Sequence, residues 1–268
     1  MSQNWPERIV CMTEETTELL YLLGEQDRIV GISGFTVRPP QARKEKPKVS
    51  AFTSAKIDKI LALKPDLVLG FSDLQADIAA ELIRAGVDVW VLNHRDVDGI
   101  LRMIRSLGRL VNATEKAEQL ARSYEQRIGE IRAATSTWKV RPKVYFEEWY
   151  DPIITGIGWV SELVTIAGGD DCYAENAKHQ GGKDRIVADP LEVAARNPDI
   201  IIGSWCGKKF HPNKVGERDG WEQVPAVLSG HIYEIKSAYI LQPGPAALSE
   251  GLEQLFAITS DWASTHTG

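Results

Sequence analysis

Long apolar runs are missing from this chain. No stretch of about 18 apolar residues occurs in the 268, so no segment reads as a membrane-spanning helix. The opening residues Met1-Ser2-Gln3-Asn4-Trp5-Pro6-Glu7-Arg8 are polar and lack the apolar centre of a secretory signal. Two readings of that start stay open: a leader removed from an exported, extracytoplasmic protein, or a native start in the cytoplasm. Cysteine is scarce. Cys11, Cys172 and Cys206 are odd in number and lack CxxC spacing, which excludes a full disulfide framework and a thioredoxin-type motif, while one bridge plus a free thiol stays open. Basic charge is in deficit: 31 Lys and Arg against 37 Asp and Glu give a net charge of −6. That balance argues against nucleic acid, which needs a basic face to neutralise phosphates. The histidines His94, His179, His211, His231 and His266 are dispersed with no HxxxH or HExxH pair, so an organic ligand is expected ahead of a bare metal ion. Walker A, GxSxG and paired-carboxylate motifs are missing as well, and no enzyme, metal site or cofactor is expected.

What the chain does have is a pattern stated twice. Arg8-Ile9-Val10-Cys11-Met12 reads as a buried strand, Thr13 to Thr17 as a cap, and Glu18 to Gly24 as a helix stopped by glycine. Lys143-Val144-Tyr145-Phe146-Glu147 and Ser161 to Gly168 repeat that order. Asp58-Lys59-Ile60-Leu61-Ala62-Leu63-Lys64-Pro65-Asp66-Leu67-Val68-Leu69-Gly70 aligns without a gap on Leu191-Glu192-Val193-Ala194-Ala195-Arg196-Asn197-Pro198-Asp199-Ile200-Ile201-Ile202-Gly203. Each copy is a short helix broken before Pro, then an apolar run of the kind buried on both faces of a parallel sheet. A third echo pairs Gly86 to Leu92 with Gly230 to Ile235. Three echoes in one order imply two α/β lobes with parallel sheets. Between them, Ala117, Leu120, Ala121, Tyr124, Ile128 and Ile131 recur at helical spacing, and about 20 residues of helix span about 30 Å. The expected division is an N-terminal lobe over 1–113, a bridging helix over 114–138 and a C-terminal lobe over 139–268.

Those residues carry a family resemblance. Arg8-Ile9-Val10 with Thr17-Glu18-Leu19 and Gly24, then Val30-Gly31-Ile32-Ser33, Pro39-Pro40-Gln41-Ala42, Val49-Ser50 and the first copy of the doubled motif resemble the cobalamin- and ferric-siderophore-binding proteins of ABC importers. Gly168-Gly169 and Arg196-Asn197-Pro198-Asp199 continue the match. The resemblance implies a class III periplasmic-binding-protein fold and a bulky ligand, a corrinoid first, held in a cleft between the lobes. It implies permease and ATPase subunits as partners, and a chain acting as a monomer. A ferric siderophore, haem, or a cytoplasmic corrinoid carrier or sensor are the alternatives. It also matches Phe52 and Phe71 to aromatic ligand contacts, sets Phe35 on a loop facing the ligand, and assigns permease docking to Asp58. In the second copy Leu191 takes the docking position and Glu192 follows one residue later.

The remaining candidates come from position. Loops after parallel strands line ligand crevices, and Glu147-Glu148-Trp149-Tyr150-Asp151-Pro152 reads as such a loop, with Glu148 and Trp149 as contacts or else a solvated acidic turn. Trp205, Cys206 and Lys208 fall in the equivalent place after the second motif. Trp205 offers a flat face, Lys208 or Lys209 a cation for phosphate or carboxylate, and Cys206 a small lining residue rather than a nucleophile or metal ligand. Trp159 at a helix entrance and Tyr239 and Gln242 beside Pro243-Gly244-Pro245 are contacts, or else core and turn residues. A ligand-facing Trp205 predicts that Trp205→Ala weakens binding and leaves folding nearly intact.

Overall fold

The structure is a computed structural model and describes residues 5–266. It divides into two compact units: one holds the chain up to His94 together with Asp98–Ser123, the other Arg95–Val97 together with everything from Tyr124 onward. The boundary falls inside one helix, Thr114–Thr135, which supplies residues to both units. Among the described residues no helix is long and apolar enough to cross a membrane.

The first unit is built on five parallel strands, β1 (Ile9–Cys11), β2 (Ile29–Ser33), β3 (Lys48–Ser50), β4 (Leu67–Phe71) and β5 (Val89–Leu92), in the order β3-β2-β1-β4-β5. The short apolar runs form strands because both faces are covered: Ile9, Val10, Cys11, Val68 and Leu69 have no exposed surface. The chain winds outward on one side of β1 and then on the other, so the order reverses between β1 and β4. In open α/β sheets that reversal opens a crevice at the carboxyl ends of the strands.

The second unit carries β6 (Lys143–Tyr150), β7 (Ile153–Thr155), β8 (Asp170–Asp171), β9 (Ile186–Val187), β10 (Ile200–Gly203) and β11 (Ile232–Glu234), ordered β11-β10-β6-β7-β9 with β8 beside β6. Three pairings are parallel, β10 with β11, β10 with β6, and β6 with β8. β7 runs antiparallel to both β6 and β9. The second sheet is mostly parallel, with β7 the exception: Asp151 and Pro152 alone link β6 to β7, too few residues for the crossover a parallel neighbour needs.

The doubled motif folds the same way twice. The helices Ile57–Ala62 and Pro190–Ala195 stop before Lys64 and Asn197, both in the left-handed region at φ 48° and 50°. A following proline disfavours helical backbone, and the residue before it turns the chain into the strand. The motif's aspartates then fasten the neighbouring strand. Asp66 Oδ1 accepts from the Arg8 N–H at 3.0 Å, and Asp199 Oδ2 from the Lys143 N–H at 2.8 Å. The backbone returns the bond each time, Asp66 N–H to Arg8 O and Asp199 N–H to Lys143 O. The matched helix stops Gly24 and Gly168 lie at φ 77° and 89°, where a Cβ would be strained.

One helix boundary differs from the expected one. The first helix begins at Glu14 rather than Glu18, because Thr13 takes the extended N-cap position. The last helix opens with a π-turn at Ala247–Gly251 and runs on over Leu252–His266.

Candidate functional site

β6 is longer than expected, and that reorganises the second unit's candidate site. Glu147 to Tyr150 are strand rather than loop, with an irregularity between Glu147 and Trp149 where β7 pairs. Glu147 is wholly buried yet fully engaged. Trp205 Nε1 donates to it at 2.9 Å, Tyr145 Oη at 2.8 Å, and Arg218 through Nη1 and Nη2 at 2.5 and 2.9 Å. A buried carboxylate stands when a cation and full hydrogen bonding compensate its lost hydration, and both are present. Glu148 pairs with the buried Arg185, which also donates to the Thr155 carbonyl. Glu148 thus has an internal cationic partner.

Above Glu147, at the carboxyl end of β6 and β10, aromatic rings form a ledge. Trp149 and Tyr150 lie 5.2 Å apart, Tyr150 and Trp205 4.6 Å, Trp205 and Phe210 4.9 Å. Lys208 Nζ donates to Tyr150 Oη at 2.7 Å. Trp149 and Tyr150 are half-buried and Lys208 is exposed, while Trp205 retains only 6% of its surface and belongs to the core. The small residue ahead of the loop is required: a Cβ at Gly203 would collide with the Phe210 ring. Trp159 is 3% exposed, and its indole N–H donates to the Ile240 carbonyl at 2.9 Å, so it fastens the helix Gly158–Ile166 to the segment before Leu241. Both tryptophans are corrected from ligand contacts to structural supports, because their polar tips and ring faces are used internally. The expectation that Trp205→Ala would leave folding intact falls with that burial. Tyr239 and Gln242 are half-buried on and just after the short helix Ser237–Ile240.

Cys206 is exposed, and none of the three cysteines is in a disulfide. Burial pushes the Cys11 and Cys172 thiols up to about 12, which leaves neither ionised at neutral pH. Among the described residues no group of three or more His, Cys, Asp or Glu side chains could hold a metal.

In the first unit the expected aromatics separate. Phe35 is exposed on the loop after β2 and Phe52 is half-buried after β3. Phe71 is 5% exposed, edge-on to His94 at 5.3 Å, and is corrected to a core residue. Gln75, missed in the sequence, links them: its amide accepts from the Phe71 N–H at 2.9 Å and donates to the Phe52 carbonyl at 2.9 Å. Glu14 and Glu15 follow β1 at the same edge and are buried. Loss of hydration pushes Glu15 up to about 8, with the Glu14 charge adding to it, and pushes Glu14 up as well. Ser33 Oγ donates to Glu14, and Thr13 Oγ1 to Glu15.

The docking candidates are exposed in the first turns of matched helices. Asp58 has no ion-pair partner among the described residues, whereas Glu192 is held by Arg196 at 2.9 Å.

A family model described as periplasmic binding protein matches residues 9–239. The chain belongs to that family. As a periplasmic binding protein it binds rather than catalyses, and its fold is the two-lobed α/β architecture with one long helix. It is 28% identical over 260 residues to an uncharacterized ABC transporter substrate-binding lipoprotein of Bacillus subtilis, covering 93% of this chain and 79% of that one. It is 24% identical over 251 residues to the vitamin B12-binding protein of Vibrio parahaemolyticus, covering 92% and 87%. Its structure matches the periplasmic heme-binding protein of Roseiflexus at a TM-score of 0.80 and 22% identity, covering 94% and 99%.

Proposed function

We propose that this periplasmic binding protein captures a bulky, flat-faced ligand outside the cytoplasm and delivers it to an ABC permease with its ATPase subunits. The observation that carries the reading is the half-buried ring pair Trp149 and Tyr150 at the carboxyl end of the second sheet, backed by the buried Trp205, which Glu147 holds from below. Flat aromatic faces give large contact area at small entropic cost and suit a macrocycle better than a bare ion. A corrinoid is the first ligand reading, and haem or a ferric siderophore the second, since each presents an extended face. Phe35, Phe52, Tyr239, Gln242 and Cys206 complete the assignment as partly exposed contacts. The protein acts as a monomer with lobes over 1–113 and 139–268 and the helical segment 114–138 between them in sequence. Asp58 is the stronger docking carboxylate, because Glu192 must leave Arg196 before it can meet a basic permease surface. A lipoprotein among the relatives supports extracytoplasmic placement over a cytoplasmic carrier.

Titrating the purified protein with cyanocobalamin, haem and a ferric hydroxamate, read by tryptophan fluorescence and visible absorbance, tests the reading. Saturable binding of at least one is expected. Failure of all three overturns the ligand assignment and leaves the fold and family standing.

A further inference from the structure

Lys208 lies on the exposed loop leaving β10, in a chain whose net charge is −6. Its ammonium sits 5.1 Å from the Trp149 ring centroid and 5.0 Å from that of Tyr150, with one N–H given to the Tyr150 hydroxyl. An ammonium has three donors, and among the described residues one hydrogen bond, to the Tyr150 hydroxyl, engages this one. No carboxylate lies within ion-pair distance of it among the described residues. Exposed lysines ordinarily wander, and ordering one costs rotamer entropy. Here two rings and a hydrogen bond have already restricted the side chain, so less freedom remains to be lost when an anion arrives. Among the described residues its neighbour Lys209, also exposed, makes no comparable contact. The two were equivalent by sequence, and the geometry separates them.

We propose that Lys208 is the anion receptor of the ligand site. The ligand stacks a flat body on Trp149 and Tyr150 and presents a negatively charged oxygen group, carboxylate or phosphate, at its edge to Nζ. This rests on the aromatic ledge being the ligand platform. It goes beyond that reading by fixing the charge of the ligand and the residue that selects for it.

The test uses two probe pairs in which one member carries the anionic group and the other lacks it: haem against haem dimethyl ester for carboxylate, and cyanocobalamin against dicyanocobinamide, which lacks the whole phosphate-bearing nucleotide, for phosphate. The wild type should bind the anionic member of at least one pair about tenfold more tightly, the scale of one charge-assisted hydrogen bond. Lys208→Met, which keeps the stem and removes the charge, should bring that ratio to about one by weakening only the anionic member. Lys208→Arg should retain most of the preference, and Lys209→Met all of it. Raising the salt from about 0.05 to about 0.5 M should erode the ratio in the wild type and leave it unchanged in Lys208→Met. Two results overturn the proposal while leaving the ledge intact: equal binding within both pairs by the wild type, or a Lys208→Met loss shared equally by charged and neutral members. No binding of any of the four probes overturns this inference, and if a ferric hydroxamate also fails to bind, the ledge reading falls with it.

Discussion

Each unit buries a carboxylate near the carboxyl end of its central strands, and the two are managed in opposite ways. In the second unit Glu147 meets a guanidinium, an indole and a phenol, and its charge is spent on holding Trp205 beneath the ledge. In the first unit Glu15 receives the Thr13 hydroxyl, stands beside Glu14 and Glu18, and keeps its proton up to about 8. Equal burial thus gives a fixed ionic strut in one half and a proton-holding group in the other. The presence of a nearby cation decides between them.

Removing the strut should have the largest effect. Glu147→Ala leaves Arg218 without its partner and two buried donors unsatisfied, and should lower the unfolding free energy by about 3–5 kcal/mol in urea denaturation. Trp205→Ala removes the same strut from above and opens a cavity among Tyr150, Phe210 and Glu147, with an expected loss of about 3–4 kcal/mol. A loss under about 1 kcal/mol would return Trp205 to the role of an unsupported ligand contact.

Glu15 should behave in the contrary sense. It holds its proton up to about 8 in the folded chain and releases it near pH 4–5 when unfolded. Unfolding therefore releases a proton between those values, and the stability of the wild type should fall as pH rises across that window. Glu15→Gln should flatten that decline and be more stable than wild type at pH 8 by about 2–3 kcal/mol, at roughly 1.4 kcal/mol per unit discounted for relaxation. A mutant that tracks the wild type from pH 5 to 8 would assign the slope to Glu14 or to another group.

The smallest contrast lies in the doubled motif. Asp66 accepts two backbone N–H groups, from Glu7 and Arg8, and Asp199 one, from Lys143. Asp66→Ala should cost about 1–2 kcal/mol and Asp199→Ala about 1 kcal/mol by the same measurement. Equal losses would show that the second bond to Asp66 contributes nothing.

The same comparison explains what was legible in the residues themselves. The doubled motif, the bridging helix and the two-lobed order are local or periodic features, and Pro65 with Pro198 and Gly24 with Gly168 punctuate them in the same places. The ledge was half legible: Trp149 and Lys208 were reached from their position after strands. The error lay in treating every tryptophan near a strand end as a surface. Trp159 and Trp205 have their N–H groups committed to Ile240 and Glu147, and those partners lie 81 and 58 residues away. Arg218, at 71 residues from Glu147, carries no local signal at all. The hairpin was missed because a continuous apolar run does not say where a neighbouring strand reverses.

The most direct test of the central claim is the affinity of Trp149→Ala. Trp149 is half-buried on the ledge and outside the Glu147 strut, so its loss should change stability far less than that of Trp205. If the ledge is the ligand platform, whichever of cyanocobalamin, haem or ferric hydroxamate the wild type binds should bind the mutant about tenfold or more weakly, with the urea midpoint nearly unchanged. Unchanged affinity for that ligand in a folded mutant would contradict the account.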